Sequence, residues 1–267
     1  MSAKLLQFDY TQPLVLPQKP TLIFADPPYN VGVNYEGDET NDNRAVEEYQ
    51  QWLSSVMKTL ATNMDTGTTL WWVCPEEDAD WVGPALTRYV GPRLYRIVWH
   101  ETFSQYNRYN LTRDYRFIFC HYLKGTNKKS ITMNLDAIRI PSKRMILRDS
   151  RAVGPKIPGT VWQLRRLQGT AKDRVDWHPT QLPPELLDRI VLGWSSPTDL
   201  VLDAFAGSGS LGMRCLSHRR DFVGIDKSEA YCEHMRQRFS LSTQHVGDDE
   251  NANPNLARRS NTVIVPR

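Results

Sequence analysis

Asp199 to Asp226 is the stretch that most restricts what this chain can fold into. DLVLDAF (199–205) is an apolar run of strand length, GSGSLG (207–212) is a tight glycine turn into a helix through about Leu216, and DFVGID (221–226) is a second strand. Two strands joined through a helix lie parallel, and parallel sheets are covered by helices on both faces. Gly207, Gly209 and Gly212 satisfy GxGxxG, and Asp226 closes the second strand nineteen residues after Gly207. Such a turn lets backbone amides approach a nucleoside-bearing cofactor and lets Asp226 accept hydrogen bonds from ribose hydroxyls. A merely tight strand-to-helix turn would use the same glycines, so the motif gains meaning only from its company.

That company is LIFADPPY, residues 22–29. Leu22, Ile23 and Phe24 make a short buried-strand run, and Pro27-Pro28 forbids its continuation. Asp26 and Tyr29 therefore stand at a strand's carboxyl edge, where open α/β sheets bind ligands. A planar base bearing an amino group fits there. Asp26 would accept one amino hydrogen, the Pro27 carbonyl the other, and Tyr29 would stack on the ring. Without a ligand, the same residues make a strand ending in a Pro-Pro turn with a capping Asp.

The 267 residues suffice for one large α/β domain carrying a substantial insertion. A strand over Leu5 to Phe8 ends at Asp9. After DPPY, Asn30 to Asn43 is polar and reads as a mobile loop able to close over a substrate. Helices are expected over Ala45 to Met64, Glu76 to Tyr89, Pro183 to Trp194, and Ser228 to Phe239 with Ser228 as cap. Strands are expected over Gly67 to Cys74, Tyr95 to Glu101 and Tyr115 to Leu123, the last of them antiparallel and closing the sheet. The boundaries that follow are 1–123 for the DPPY half, 124–176 for an insertion, 177–245 for the glycine-turn half, and 246–267 for a polar, poorly ordered tail. The N-terminus lacks a signal-peptide core and no apolar run reaches membrane-span length, so a cytoplasmic location is expected, with no membrane partner. Cys74, Cys120, Cys215 and Cys232 have no CxxC spacing and are expected as buried, reduced thiols, with no metal site.

Charge is distributed unevenly. Residues 124–176 hold thirteen Lys/Arg against four Asp/Glu, while the rest of the chain holds 20 against 26. The basic residues pair at Lys128 and Lys129, Lys143 and Arg144, and Arg165 and Arg166. The segment lacks sustained periodicity and reads as an inserted module outside the sheet, shaped for a polyanion, with a solvated basic face as the alternative.

DPPY followed later by FAGSG resembles the amino-methyltransferases that act on DNA with S-adenosylmethionine. The order, with the catalytic motif first, the basic segment between and the cofactor motif last, resembles the beta class of that family. HPTQLP (178–183) resembles that class's HPTQKP, Asp226-Lys227 stands where it has GIE, and Asp9 where it has an acid closing the strand before DPPY. The resemblance spans most of residues 4 to 240. It implies a Rossmann-like class I methyltransferase sheet of seven strands, mostly parallel with one antiparallel, in circularly permuted order. It further implies catalysis by Asp26, Pro27, Pro28 and Tyr29, and cofactor contacts from Asp9, facing the adenine, and from Asp26, His178, Pro179 and Thr180. The remaining cofactor contacts implied are Asp203, Phe205, Ala206, Gly207, Ser208, Gly209, Asp226 and Lys227. Double-stranded DNA is the implied partner, read through the basic pairs; a homodimer and a cognate restriction enzyme are open. The chain departs from the pattern at Leu182, usually Lys, at Asp226, more often Glu, and at Asp114-Tyr115, where many members have His-Glu or Tyr-Glu.

An exocyclic amino nitrogen is a poor nucleophile because its lone pair is delocalised into the ring. Hydrogen bonds to Asp26 and the Pro27 carbonyl would localise it and stabilise the charge that develops during in-line transfer. The target must first be flipped from the duplex, with Tyr29 replacing lost stacking. Transfer to carbon 5 of cytosine would need a nucleophilic Cys, usually in Pro-Cys, and this chain has Cys74-Pro75 in the reverse order. Adenine N6 is the expected target. Cytosine N4, whose enzymes more often carry Ser in place of Asp26, is the rival, followed by RNA amino-methylation. A nicotinamide-dependent oxidoreductase would explain GxGxxG and Asp226 but not DPPY, and a non-catalytic nucleic-acid binder would explain only the charge.

Overall fold

The computed structural model describes residues 1–10, 12–35, 42–101, 108–167, 171 and 173–250, with side chains described as far as residue 240. Eight strands form one sheet: β1 Ala3–Gln7, β2 Leu22–Ala25, β3 Thr69–Cys74, β4 Arg93–Glu101, β5 Tyr115–Tyr122, β6 Val161–Leu164, β7 Leu200–Asp203 and β8 Asp221–Asp226. Their spatial order is β1-β8-β7-β2-β3-β5-β4-β6. β5 is antiparallel to both neighbours and every other pairing is parallel. The last strands of the chain thus lie between its first two, which is the permuted order expected.

Side chains alternate across the central strands as a sheet buried on both faces requires. Leu22, Phe24, Trp71, Val73 and Val201 face a core built with α4 Pro184–Trp194, α5 Ser210–Ser217 and α6 Glu229–Glu250. Ile23, Ala25, Leu70, Trp72 and Leu202 face the opposite core, built with α1 Val46–Thr62 and α2 Ala79–Tyr89. The Ser228 hydroxyl accepts from the Tyr231 amide at 2.9 Å, capping α6 as expected. That helix runs on to Glu250, so 246–250 are helical rather than the expected tail; 251–267 lie outside the described residues. All four cysteines are buried thiols.

Two expectations need correction. The antiparallel strand does not close the sheet, since β4 and β6 lie beyond β5. The basic segment is not wholly outside the sheet, because Val161–Leu164 adds an eighth strand parallel to β4, beyond the seven expected. Four residues are too few to show a period, yet Trp162 and Leu164 are buried in the core, joined from the same segment by Ile131 and Ile138. Trp162 stacks on Trp71 at 6.2 Å between centroids, and the Arg189 guanidinium lies 5.0 Å over its ring. The short helix α3 Lys143–Ile146 lies within an excursion closed by backbone pairing of Ile140 with Lys156.

Candidate active site

Because β1, β8, β7 and β2 are parallel neighbours, their carboxyl ends open along one edge, with Gln7 beside Asp226 and Phe24 beside Asp203 in register. Asp9, Asp26, Asp203 and Asp226 therefore reach one pocket from four strands, and the strand order reverses direction there, between β7 and β2. DPPY and the glycine turn share this edge.

The turn is shaped by its neighbours. Gly207 has φ 46°, and a Cβ there would come within 2.5 Å of the His178 imidazole. Gly209 caps α5 at φ 73°, where a Cβ would meet Met235 at 2.8 Å. The Gly207 and Ser228 amides donate to the Asp226 carboxyl at 2.8 and 2.9 Å, so Asp226 organises the turn it faces. The HPTQ stretch lies on the same turn, with the Gln181 amide donating to the Ser210 hydroxyl at 2.9 Å. Burial pushes His178 down to about 4, so its imidazole is neutral. Asp203 is pushed up to about 8, by burial first, with repulsion from Asp26 and Asp226 adding and the Phe205 amide opposing.

At the DPPY end the Tyr29 hydroxyl donates to Asp26 Oδ1 at 2.5 Å. Burial raises Asp26 to about 6, against the Tyr29 hydrogen bond and the Arg116 charge. The Tyr49 hydroxyl donates to the Pro28 carbonyl at 2.9 Å, tying the motif to α1. The described ends of the 30–43 loop are tethered: the buried Asp42 carboxyl accepts from the amides of Asn30, Val31 and Val33 at 2.6, 3.2 and 2.8 Å. The mobile lid expected there otherwise concerns 36–41, outside the described residues.

Asp9, Asp26, Pro28, His178, Thr180, Asp203, Phe205, Ala206, Gly207, Ser208, Asp226 and Lys227 all line the pocket. Pro27, Tyr29, Pro179 and Gly209 do not; Gly209 instead packs beneath the turn. Sequence reasoning missed Tyr10, Tyr35, Arg44, Trp52 and Tyr231, which also form part of the wall. Tyr10 packs on Phe205 at 5.4 Å, Trp52 on Phe205 at 5.9 Å, and Arg44 lies 4.3 Å over Trp52. The clustering of Phe8 and Tyr10 around Asp9 was the available signal. The Tyr10 hydroxyl and Trp52 Nε1 are buried without a partner among the described residues, leaving two polar atoms in an aromatic wall.

The basic pairs are dispersed. Arg165 and Arg166 follow the carboxyl end of β6, on the pocket's edge of the sheet, and Arg166 reaches Glu101 at 3.3 Å. Lys143 and Arg144 are exposed on α3, ahead of β6. Lys128 and Lys129 lie at the opposite edge, where Lys128 covers the Tyr122 ring and Ser130 abuts Gly67. Among the described residues no His, Cys, Asp or Glu group is arranged to hold a metal, and no helix is long and apolar enough to cross a membrane.

A parallel sheet open at its reversal point, with a glycine turn, an acid on the next strand and DPPY on one edge, defines a Rossmann-like methyltransferase. Residues 21–237 match the model of the N6/N4 methyltransferases, described as DNA methylase, and the chain belongs to that family. Type II methyltransferase M.HpaI of Haemophilus parainfluenzae is 30% identical over 223 residues, covering 82% of this chain and 67% of that protein. DNA adenine methyltransferase YhdJ of Escherichia coli (strain K12) is 28% identical over 259 residues, covering 90% and 84%. The solved PvuII DNA methyltransferase, cytosine-N4-specific, shares the fold with a TM-score of 0.62 at 15% identity, over 83% of this chain and 80% of that one.

Proposed function

We propose that this DNA methyltransferase modifies the exocyclic N6 of adenine in double-stranded DNA, on a base flipped to the carboxyl edge of β2. The observation that carries the reading is the Asp26 carboxyl, in the lining of the pocket that also holds the glycine turn and Asp226. S-adenosylmethionine is the methyl donor and supplies an electrophilic methyl on a sulfonium. The pocket suits it: the Asp9, Asp203 and Asp226 carboxyls offer charge complementarity to a sulfonium and an ammonium, and the Phe205, Tyr10 and Trp52 box offers faces and unpaired polar atoms to a nucleobase. Asp226 and the Gly207 amide would bind and orient the ribose side.

Asp26 would take an amino hydrogen of the target base, in the place now held by the Tyr29 hydroxyl. The phenol would give up that bond to the amine while its ring stays in place to support the flipped base. No proton need leave the amine before attack; Asp26 would hold the hydrogen bond that strengthens as the nitrogen becomes positive and the methyl–sulfur bond breaks, and would then accept the proton that the methylated nitrogen loses. Asp at position 26 and the likeness to an adenine methyltransferase over 90% of the chain support adenine over cytosine N4. Incubating the protein with labelled S-adenosylmethionine and plasmid, then mapping the modified base by sequencing, tests the reading. N6-methyladenine is expected, and N4-methylcytosine would overturn the choice of base.

A further inference from the structure

Behind the DPPY motif, on the side away from the cofactor pocket, lies a group of charges that the proposed chemistry has not used. Glu101, at the end of β4, is 3% exposed. One of its oxygens accepts from Arg116 Nε at 2.9 Å and the other lies 3.3 Å from Arg166 Nε. Arg116, on β5, places its guanidinium 5.0 Å from the centre of the Tyr29 ring. Tyr29 in turn donates to Asp26. A buried carboxylate is retained only with charged partners, and a planar guanidinium held by one is a rigid platform for an aromatic face.

We infer that Arg116 and Glu101 form a positioning pair for the reacting centre, the guanidinium fixing the Tyr29 ring and keeping Asp26 ionised, on the reading that Asp26 grips the target amine. Glu101 is shared with Arg166, so the three groups together carry a net positive charge, of which Arg116 is the part that acts on Asp26. Among the described residues, the groups that act on Asp26 are Tyr29 on its own loop, Tyr35 beyond it, Cys74 on β3, Asp203 on β7, Glu101 on β4 and Arg116 on β5. Arg116 is the cation among them, and it opposes the burial that raises Asp26 to about 6. A cation near a carboxyl favours its ionised form.

Arg116→Met keeps the stem and removes the charge, so Asp26 stays protonated to higher pH. Single-turnover methylation at pH 7 should fall about two- to tenfold or more, with the deficit shrinking as pH rises and the acidic limb displaced upward. Glu101→Gln should displace the limb the opposite way, because Glu101 raises Asp26. Arg116→Lys, which keeps the charge, should restore the limb of the wild type more fully than its rate, since an ammonium cannot hold the ring as a planar guanidinium does. S-adenosylmethionine affinity should stay within about twofold in all three, as neither residue lines the pocket. A rate loss equal at every pH, with the limb unmoved in both charge variants, would make the pair merely structural and overturn the inference. A parallel carboxyl titration of 13C-labelled Asp26 in free wild-type and Arg116→Met protein decides the same point without turnover. Failure of the wild type to methylate any DNA would instead sink the functional reading.

Discussion

At the carboxyl edge of β1, β8, β7 and β2, four aspartates converge from four adjacent strands, whereas the paired basic residues of 124–176 are distributed over both edges of the sheet. The acidic group is placed by backbone. Each Asp ends or closely follows a strand whose neighbours are parallel, so topology alone brings the four together. The basic residues follow turns, a four-residue helix and a short edge strand, and nothing in their spacing says which edge each will reach. A ligand-binding edge can thus be read from motifs, while a polyanion-binding surface depends on how an irregular segment returns to the core.

The sharpest way to break the contrast is at the acidic edge itself. Asp26→Ala should lower methyl transfer by about 10²–10⁴-fold, the range for losing a group that stabilises developing charge, with cofactor affinity nearly unchanged. Asp226→Ala should instead weaken cofactor binding by about 1.5–3 kcal/mol, because on the proposed reading the missing acceptor serves the ligand as well as the turn. Calorimetric titration with S-adenosylmethionine and single-turnover assays separate the two. Equal loss of cofactor affinity in both variants would dissolve the division of labour between the strands.

For the basic segment, the corresponding test is whether it belongs to the core. Trp162→Ala should cost about 3–5 kcal/mol of global stability, since the indole is buried between Trp71 and Arg189. A denaturant midpoint shifted by far less, or a separate early transition, would mean the segment folds apart from the sheet.

The acidic edge also predicts a pH dependence of cofactor binding. Asp203 is raised to about 8, so it is largely protonated at neutral pH in the free protein. A cationic ligand favours the ionised form, so binding should expel a proton and affinity should rise with pH, by up to about tenfold per unit, levelling off above about 8. Calorimetry in buffers of different ionisation heat would show the proton release. Asp203→Asn should abolish both the release and the slope.

How much was legible follows from the same difference. DPPY, the glycine turn and Asp226 are chains of neighbours whose geometry is set locally by Pro-Pro, by positive φ and by strand ends. HPTQ was legible only by resemblance, and it does lie on Gly207. The Arg116–Glu101 pair was not legible, because it joins antiparallel β4 and β5 across fifteen residues and looks like ordinary strand charge in sequence. β6 was missed because four residues give no period, and Trp52 because it sits among helical neighbours that read as core.

The smallest expected effects concern the basic pairs, and they would sharpen the contrast most. On the proposed reading, a base that reaches Asp26 leaves a duplex lying along the carboxyl edge, so phosphates should pass Arg165 and Arg166, which follow β6 there. Every phosphate that a variant no longer neutralises should flatten the slope of log affinity against log salt by about 0.9. Neutralising Arg165 should flatten it by that amount, while Arg166, already engaged by buried Glu101, should contribute less. Neutralising Lys143 and Arg144 should weaken DNA binding and flatten the slope through the exposed α3 excursion, leaving free cofactor affinity alone. Lys128 and Lys129, at the far edge beside Tyr122, should leave both affinity and slope within error. An order reversed in salt-dependent binding measurements, with Lys128 and Lys129 dominant, would mean that the duplex does not lie where the carboxyl edge requires.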